Sequence, residues 1–150
     1  MLIVFALAAI AAGCGGSSAP SKATYGKNVD KLCATLDDRV SAIQQKAPTT
    51  TDELVEFADD LQKVIDDGVR QLGDVERPDG ADGDKAEAWI KELTRQKDQA
   101  IKPALAELKK AAQSKDTAAI QRAVKRIQQV DEKKVNQLAR DAGARSCGDA

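Results

Sequence analysis

Four stretches between residues 24 and 142 repeat apolar side chains every three to four positions, and no stretch alternates apolar and polar residues long enough for a strand. A chain patterned in this way has to bury helix faces against one another. Apolar residues make up 42% of it and aromatics only 3%, so Ala, Leu, Ile and Val must fill the core, as they do between closely packed helices. The expected fold is all-α, an antiparallel up-down four-helix bundle.

The first helix, roughly 24–47, places Tyr25, Val29, Leu32, Cys33, Leu36, Val40 and Ile43 on one stripe and stops before Pro48. The second, roughly 51–75, opens with Thr50 and Glu53 at capping-box spacing and carries Leu54, Phe57, Ala58, Leu61, Ile65 and Leu72 inward. Gly68 falls on that stripe, where glycine costs ~1 kcal/mol against alanine, so a neighbouring helix is expected to approach closely there. Asp74 to Gly83 contains Pro78 and two glycines and reads as the longest loop, with Asp84 and Glu87 capping a third helix. That helix presents Ala86, Trp89, Ile90, Leu93, Ile101, Leu105 and Leu108. Pro103, which has no N–H for the carbonyl of Gln99, is expected to kink it near Gln99 to Pro103 or to divide it into two shorter helices. The fourth helix runs from beyond Asp116 to about Ala142, with Gly143 as its C-cap.

The formal charge of −1 gives no basic excess for phosphates, which argues against a nucleic-acid partner. Charge is uneven along the chain: residues 52–77 hold nine acids against three bases, and residues 115–145 hold eight bases against four acids. Two helices of such composition can bias packing through complementary rims, or the acidic one can face a cation or a basic partner. With no histidine, the commonest general base and the Ser-His-Asp and Cys-His arrangements are missing. Adjacent acids such as Asp59-Asp60 diverge around a helix, so no catalytic residue is assigned and the chain is read as a non-enzyme.

Two ligand possibilities stand beside plain packing. Tyr25 and Trp89 could line a cavity between helices with Lys97 near the seam, where the alternative is that both rings are core and the Lys97 stem snorkels. Asp79, Asp82 and Asp84, with glycines between them, are a weak calcium candidate, set against a solvated turn with an N-cap. No cofactor is called for.

An uncharged run from Leu2 to Ala12 ends in Ala11-Ala12-Gly13-Cys14, too short to span a bilayer, which takes ~20 residues. It has the build of an export signal. Residues 1–13 are therefore assigned to a signal peptide, 14–22 to Cys14 and a flexible Gly-Ser tether, and 23–150 to the bundle domain. The Ala11–Cys14 pattern resembles the lipobox of bacterial lipoproteins. That resemblance implies that Cys14 is acylated, becomes the mature N-terminus and ties the chain to a membrane, at the outer face of the bacterial cytoplasmic membrane. With Cys33 in the first helix, Pro78 before Trp89 and the closing Cys147-Gly148, the chain resembles small all-helical, lipid-anchored envelope proteins of actinobacteria. The likeness transfers no catalytic residue.

With Cys14 given to lipid, Cys33 and Cys147 remain, and in an exported protein they pair most simply as a disulfide. Cys33 lies ~14 Å along the first helix, and the Gly143–Cys147 tail can fold back by a similar length. A redox pair or metal site is the competing reading, for which the chain lacks Cys-x-x-Cys spacing and histidine. The expected role is non-enzymatic binding or scaffolding at the envelope, with an envelope protein as partner. The alternative is a small-ligand or cation-binding lipoprotein.

Overall fold

A computed structural model of the chain describes residues 19–148. The segment expected to be a signal peptide, Cys14 and the first residues of the expected tether lie outside the described residues. Among the described residues six α-helices follow one another: α1 Lys22–Gln44, α2 Thr51–Asp74, α3 Gly80–Gln96, α4 Lys102–Gln113, α5 Thr117–Gln128 and α6 Lys133–Ala142. A π-helical turn, Lys97–Ile101, joins α3 to α4 without a break, and α5 with α6 makes a fourth helical arm. Among the described residues there is no strand. The fold is all-helical, four arms packed as a bundle.

Local chemistry sets most of the helix ends. Ser21 Oγ accepts from the Thr24 N–H at 3.2 Å, so the tether ends and α1 begins one residue earlier than residue 23. Thr50 and Glu53 close the capping box in both directions. Asp116 caps α5 through the Ala119 N–H at 2.9 Å, and Gly143 ends α6 at φ 95°, a conformation glycine adopts without strain.

Two boundaries differ from expectation. The third arm begins at Gly80 with Asp79 as its extended N-cap residue, so Asp84 lies inside the helix. Gly83 permits the early start, because a Cβ there would stand 2.2 Å from the Pro78 carbonyl oxygen. The fourth arm is interrupted before Lys133, although the sequence offers neither Gly nor Pro there. Asp131 Oδ1 accepts from the Lys133 N–H at 3.0 Å, and the Gln96 side chain donates to the Asp131 carbonyl at 2.7 Å, so a contact from α3 satisfies the backbone that the break exposes. At Pro103 the helix carries on: proline occupies the first turn of α4, and the carbonyl of Gln99 that it cannot serve lies in the π turn.

Two cores hold the arms together. One gathers Tyr25, Val29 and Cys33 of α1 with Leu72, Ala86, Trp89, Val135, Ala139 and Ala142. The other packs Ala58 of α2 against Leu105 and Leu108 of α4 and Ala123 of α5. Tyr25 and Trp89 are fully buried, 0% and 1% exposed, yet the Tyr25 hydroxyl and the Trp89 indole N–H find no partner among the described residues. Burying such a ring contributes about 3 kcal/mol or more, which offsets the ~1–3 kcal/mol lost with one unmade hydrogen bond. Phe57, Val40 and Ile43, expected inside, belong to neither core. Phe57 is instead half-buried at the surface beside Ile43.

Glycines mark the tightest approaches. At Gly68 a Cβ would come within 2.9 Å of the Leu36 side chain, the close approach the sequence calls for. A tighter one joins the start of α1 to the end of α6, where a Cβ on Gly26 would sit 2.1 Å from the backbone oxygen of Gly143. Backbone cannot yield as a side-chain tip can. Gly26→Ala is expected to lower the free energy of unfolding by about 1–3 kcal/mol. Gly73→Ala, whose Cβ would meet nothing nearer than 3.7 Å, should be neutral or mildly stabilising. Urea titrations of the two variants check this; equal effects would contradict the Gly26–Gly143 contact.

Candidate functional site

Beyond α6 the chain reverses at Gly143 and runs back along α1. Ala144 is fully buried, the Ser146 N–H donates to Asp30 Oδ1 at 2.8 Å, and Arg140 donates to the Gly148 carbonyl. This return places Cys147 against Cys33, and the two form a disulfide with Cα atoms 5.7 Å apart. The bond joins positions 114 residues apart and borders a small cavity of about 160 Å³ with Trp89, Leu72 and Val135.

The proposed ligand residues do not converge. Tyr25 and Trp89 share a core, but Lys97 lies in the π turn, 15% exposed, with its Nζ 3.4 Å from Asp66 and 3.5 Å from Asp98. Lys102 Nζ also reaches Asp66 at 3.1 Å, and these contacts to Oδ1 are ion pairs rather than aligned hydrogen bonds. Burial pushes the Asp66 carboxyl up, but the two ammonium groups outweigh it and hold it below the usual carboxylate value. A cavity lined jointly by Tyr25, Trp89 and Lys97 is therefore replaced by a packed core and a separate ion cluster.

Asp79, Asp82 and Asp84 are likewise dispersed. Because α3 starts at Gly80, Asp82 and Asp84 point about 200° apart around a helix instead of facing one ion across a loop. Asp82 lies 3.7 Å from Lys22 and 3.4 Å from Lys85. Among the described residues no group of three acidic, cysteine or histidine side chains is arranged to hold a metal.

Sequence reasoning misses one polar centre. Glu92 lies on the inner side of α3 with its side chain 7% exposed, held by Arg95 Nε at 3.0 Å and by Lys134 Nζ of α6 at 3.0 Å. Hydrogen bonds from Arg95 first, and then from Lys134, lower its pKa to about 2. Lys134 is the visible half of this pair; its exposed ammonium reaches in to the acid. The two unequal helix charges are also spent differently than anticipated. Acids of α2 meet Lys97, Lys102 and Lys109, whereas bases of the fourth arm meet Glu92 and Glu107.

Surface hollows mark the two ends of α1. At its start a cavity of about 490 Å³ is lined by Lys22, Lys27, Arg145 and Asp30. Near its far end a notch of about 340 Å³ is lined by Ile43, Ala47 and Phe57 with Glu53, Glu56, Asp60 and Lys46. No described helix is long and apolar enough to cross a membrane. No protein-family model, curated protein or solved structure matches the chain.

Cys33→Ser, Cys147→Ser and the double variant should lose the same melting temperature, corresponding to at most about 4–5 kcal/mol from the loop they close; additive losses would show independent roles. Glu92 is tested by pH. Its pKa is lower folded than unfolded, so its contribution is complete above about 4.5 and disappears as pH falls toward about 2. Glu92→Gln should flatten the decline in stability across that window, and an unchanged slope would remove Glu92 from the α3–α6 contact.

Proposed function

We propose that this chain is a lipid-anchored protein of the bacterial envelope. Acylated Cys14 and a short tether hold a disulfide-locked helical bundle on the outer face of the cytoplasmic membrane, where it binds a partner without catalysing a reaction. The observation that carries most weight is the Cys33–Cys147 disulfide, since such bonds persist outside the reducing cytosol. It accords with an export signal that ends in a lipobox-like cysteine.

Orientation supports the same reading. The tether enters α1 at Ser21, and the ends of α2 and α6 and the start of α3 lie at that side, joined through Lys22–Asp82 and Gly26–Gly143. Lys22, Lys27 and Arg145 border the cavity there. Basic side chains beside an anchor favour anionic headgroups, each by about 1 kcal/mol near the surface. Ion pairs such as Lys97–Asp66, Lys109–Asp59 and Lys134–Glu92 tie one helical element to another, which suits a rigid display module.

Fractionation of cells expressing the protein and its Cys14→Ser variant tests the anchor. The unsubstituted chain should sediment with membranes and release only into detergent, while Cys14→Ser should appear in the soluble fraction. Retention of the variant with membranes would sink the anchored reading.

A further inference from the structure

We propose that the notch at the far end of the α1–α2 pair docks a basic amphipathic segment of a partner protein, an apolar side chain resting on its floor and Lys or Arg meeting its rim. This rests on the binding role proposed above and names the partner's chemistry.

The floor is Ile43 and Ala47 from the end of α1 with Phe57 from α2, and the hollow measures about 340 Å³. Phe57 is the one aromatic of the described residues outside the cores, and half of the apolar stripe's far end, Val40 and Ile43, is left out with it. Large apolar groups left in a shaped hollow at a surface are what an interface offers.

The rim fixes the sign of the partner. Glu53, Glu56 and Asp60 outnumber the single ammonium of Lys46. Hydrogen bonds from Thr49 and Thr50 hold the Glu53 carboxyl below its ordinary value, so it stays ionised. Apart from Asp52 in its first turn, the other acids of α2 are answered from within the molecule: Asp59 by Lys109, Asp66 by Lys97 and Lys102, Asp67 by Arg39 and Arg70, Asp74 by Arg70. Glu56 and Asp60, four residues apart on one helix face, have no partner among the described residues. An uncompensated acidic rim over an apolar floor selects a cationic, amphipathic ligand and repels an anionic membrane.

Position agrees with this. Ile43 lies ~33 Å along α1 from Ser21, so the notch opens at the end away from the tether. A second copy is a poorer occupant. Its basic helix α5 has Ile120, Val124 and Ile127 already packed on its own core, leaving charge but no apolar side chain to insert.

The test is a titration of the full chain carrying Cys14→Ser with a synthetic Lys/Leu amphipathic helical peptide, followed by NMR shifts and calorimetry, with a Glu/Leu peptide as control. Saturable one-to-one binding should shift Ile43, Ala47 and Phe57, and the control should not bind. Phe57→Ala should weaken affinity at least about tenfold and Glu56→Gln with Asp60→Asn at least about threefold, all variants keeping the parent melting temperature. Shifts centred elsewhere, or equal affinity in the variants, would overturn the proposal. So would self-association through the same residues without peptide, which would give the notch to a second copy. Since the protein is unlipidated here, either result leaves the anchoring test at Cys14 independent.

Discussion

The backbone contact between Gly26 and Gly143 decides how the two ends of the folded chain meet. A Cβ on Gly26 would stand only 2.1 Å from the Gly143 carbonyl oxygen, so α1 and the end of α6 sit closer than side chains allow. Gly143 then takes a positive φ, and the last residues double back along α1 until Cys147 reaches Cys33. Tyr25, Val29, Ala139, Ala142 and Ala144 close over this junction as one core. The disulfide does not create the junction, because a five-residue tail could reach Cys33 only once the glycines had set its starting point. It constrains the unfolded chain and so preserves an arrangement that packing defines.

The second core is built differently. α2, α4 and α5 interlock through Ala58, Leu105, Leu108 and Ala123, and α1 contributes nothing to it. The first half of α1 is therefore embedded, and Leu36 bridges from that core to α2, with Gly68 as the tight point. Charge follows the same division. Ion pairs lock α2 to the π turn and α4, and Glu92 locks α3 to α6, while the α1–α2 end retains acids that nothing answers among the described residues.

Local signals in the sequence are strong enough to place most of the fold. The Thr50–Glu53 cap, the apolar period of each arm, the glycine at 68 and the reach of the tail toward Cys33 are all legible because each depends on residues close in sequence or on chain length. The start of α3 is not, since Asp84 and Glu87 have cap spacing, whereas the Pro78 carbonyl packed on Gly83 lets the helix begin at Gly80. The break before α6 depends on Gln96, 35 residues away from Asp131, and no local pattern carries that contact. The candidate sites were less legible still. Trp89 and Tyr25 carry the same helical period whether they line a cavity or fill a core, and the acid of Glu92 looks like any surface glutamate until Lys134 is placed beside it. Phe57 reads as inward by period alone, yet among the described residues it joins neither core.

Intact mass of the protein extracted from its own membranes, before and after reduction, bears most directly on a lipid-anchored, oxidised bundle. A chain that begins at Cys14, carries acyl mass on that residue and gains only the two hydrogens of one reduced disulfide is the result the account predicts. A chain with residues 1–13 still attached and no added lipid, or one whose Cys33 and Cys147 are free thiols before reduction, would contradict it.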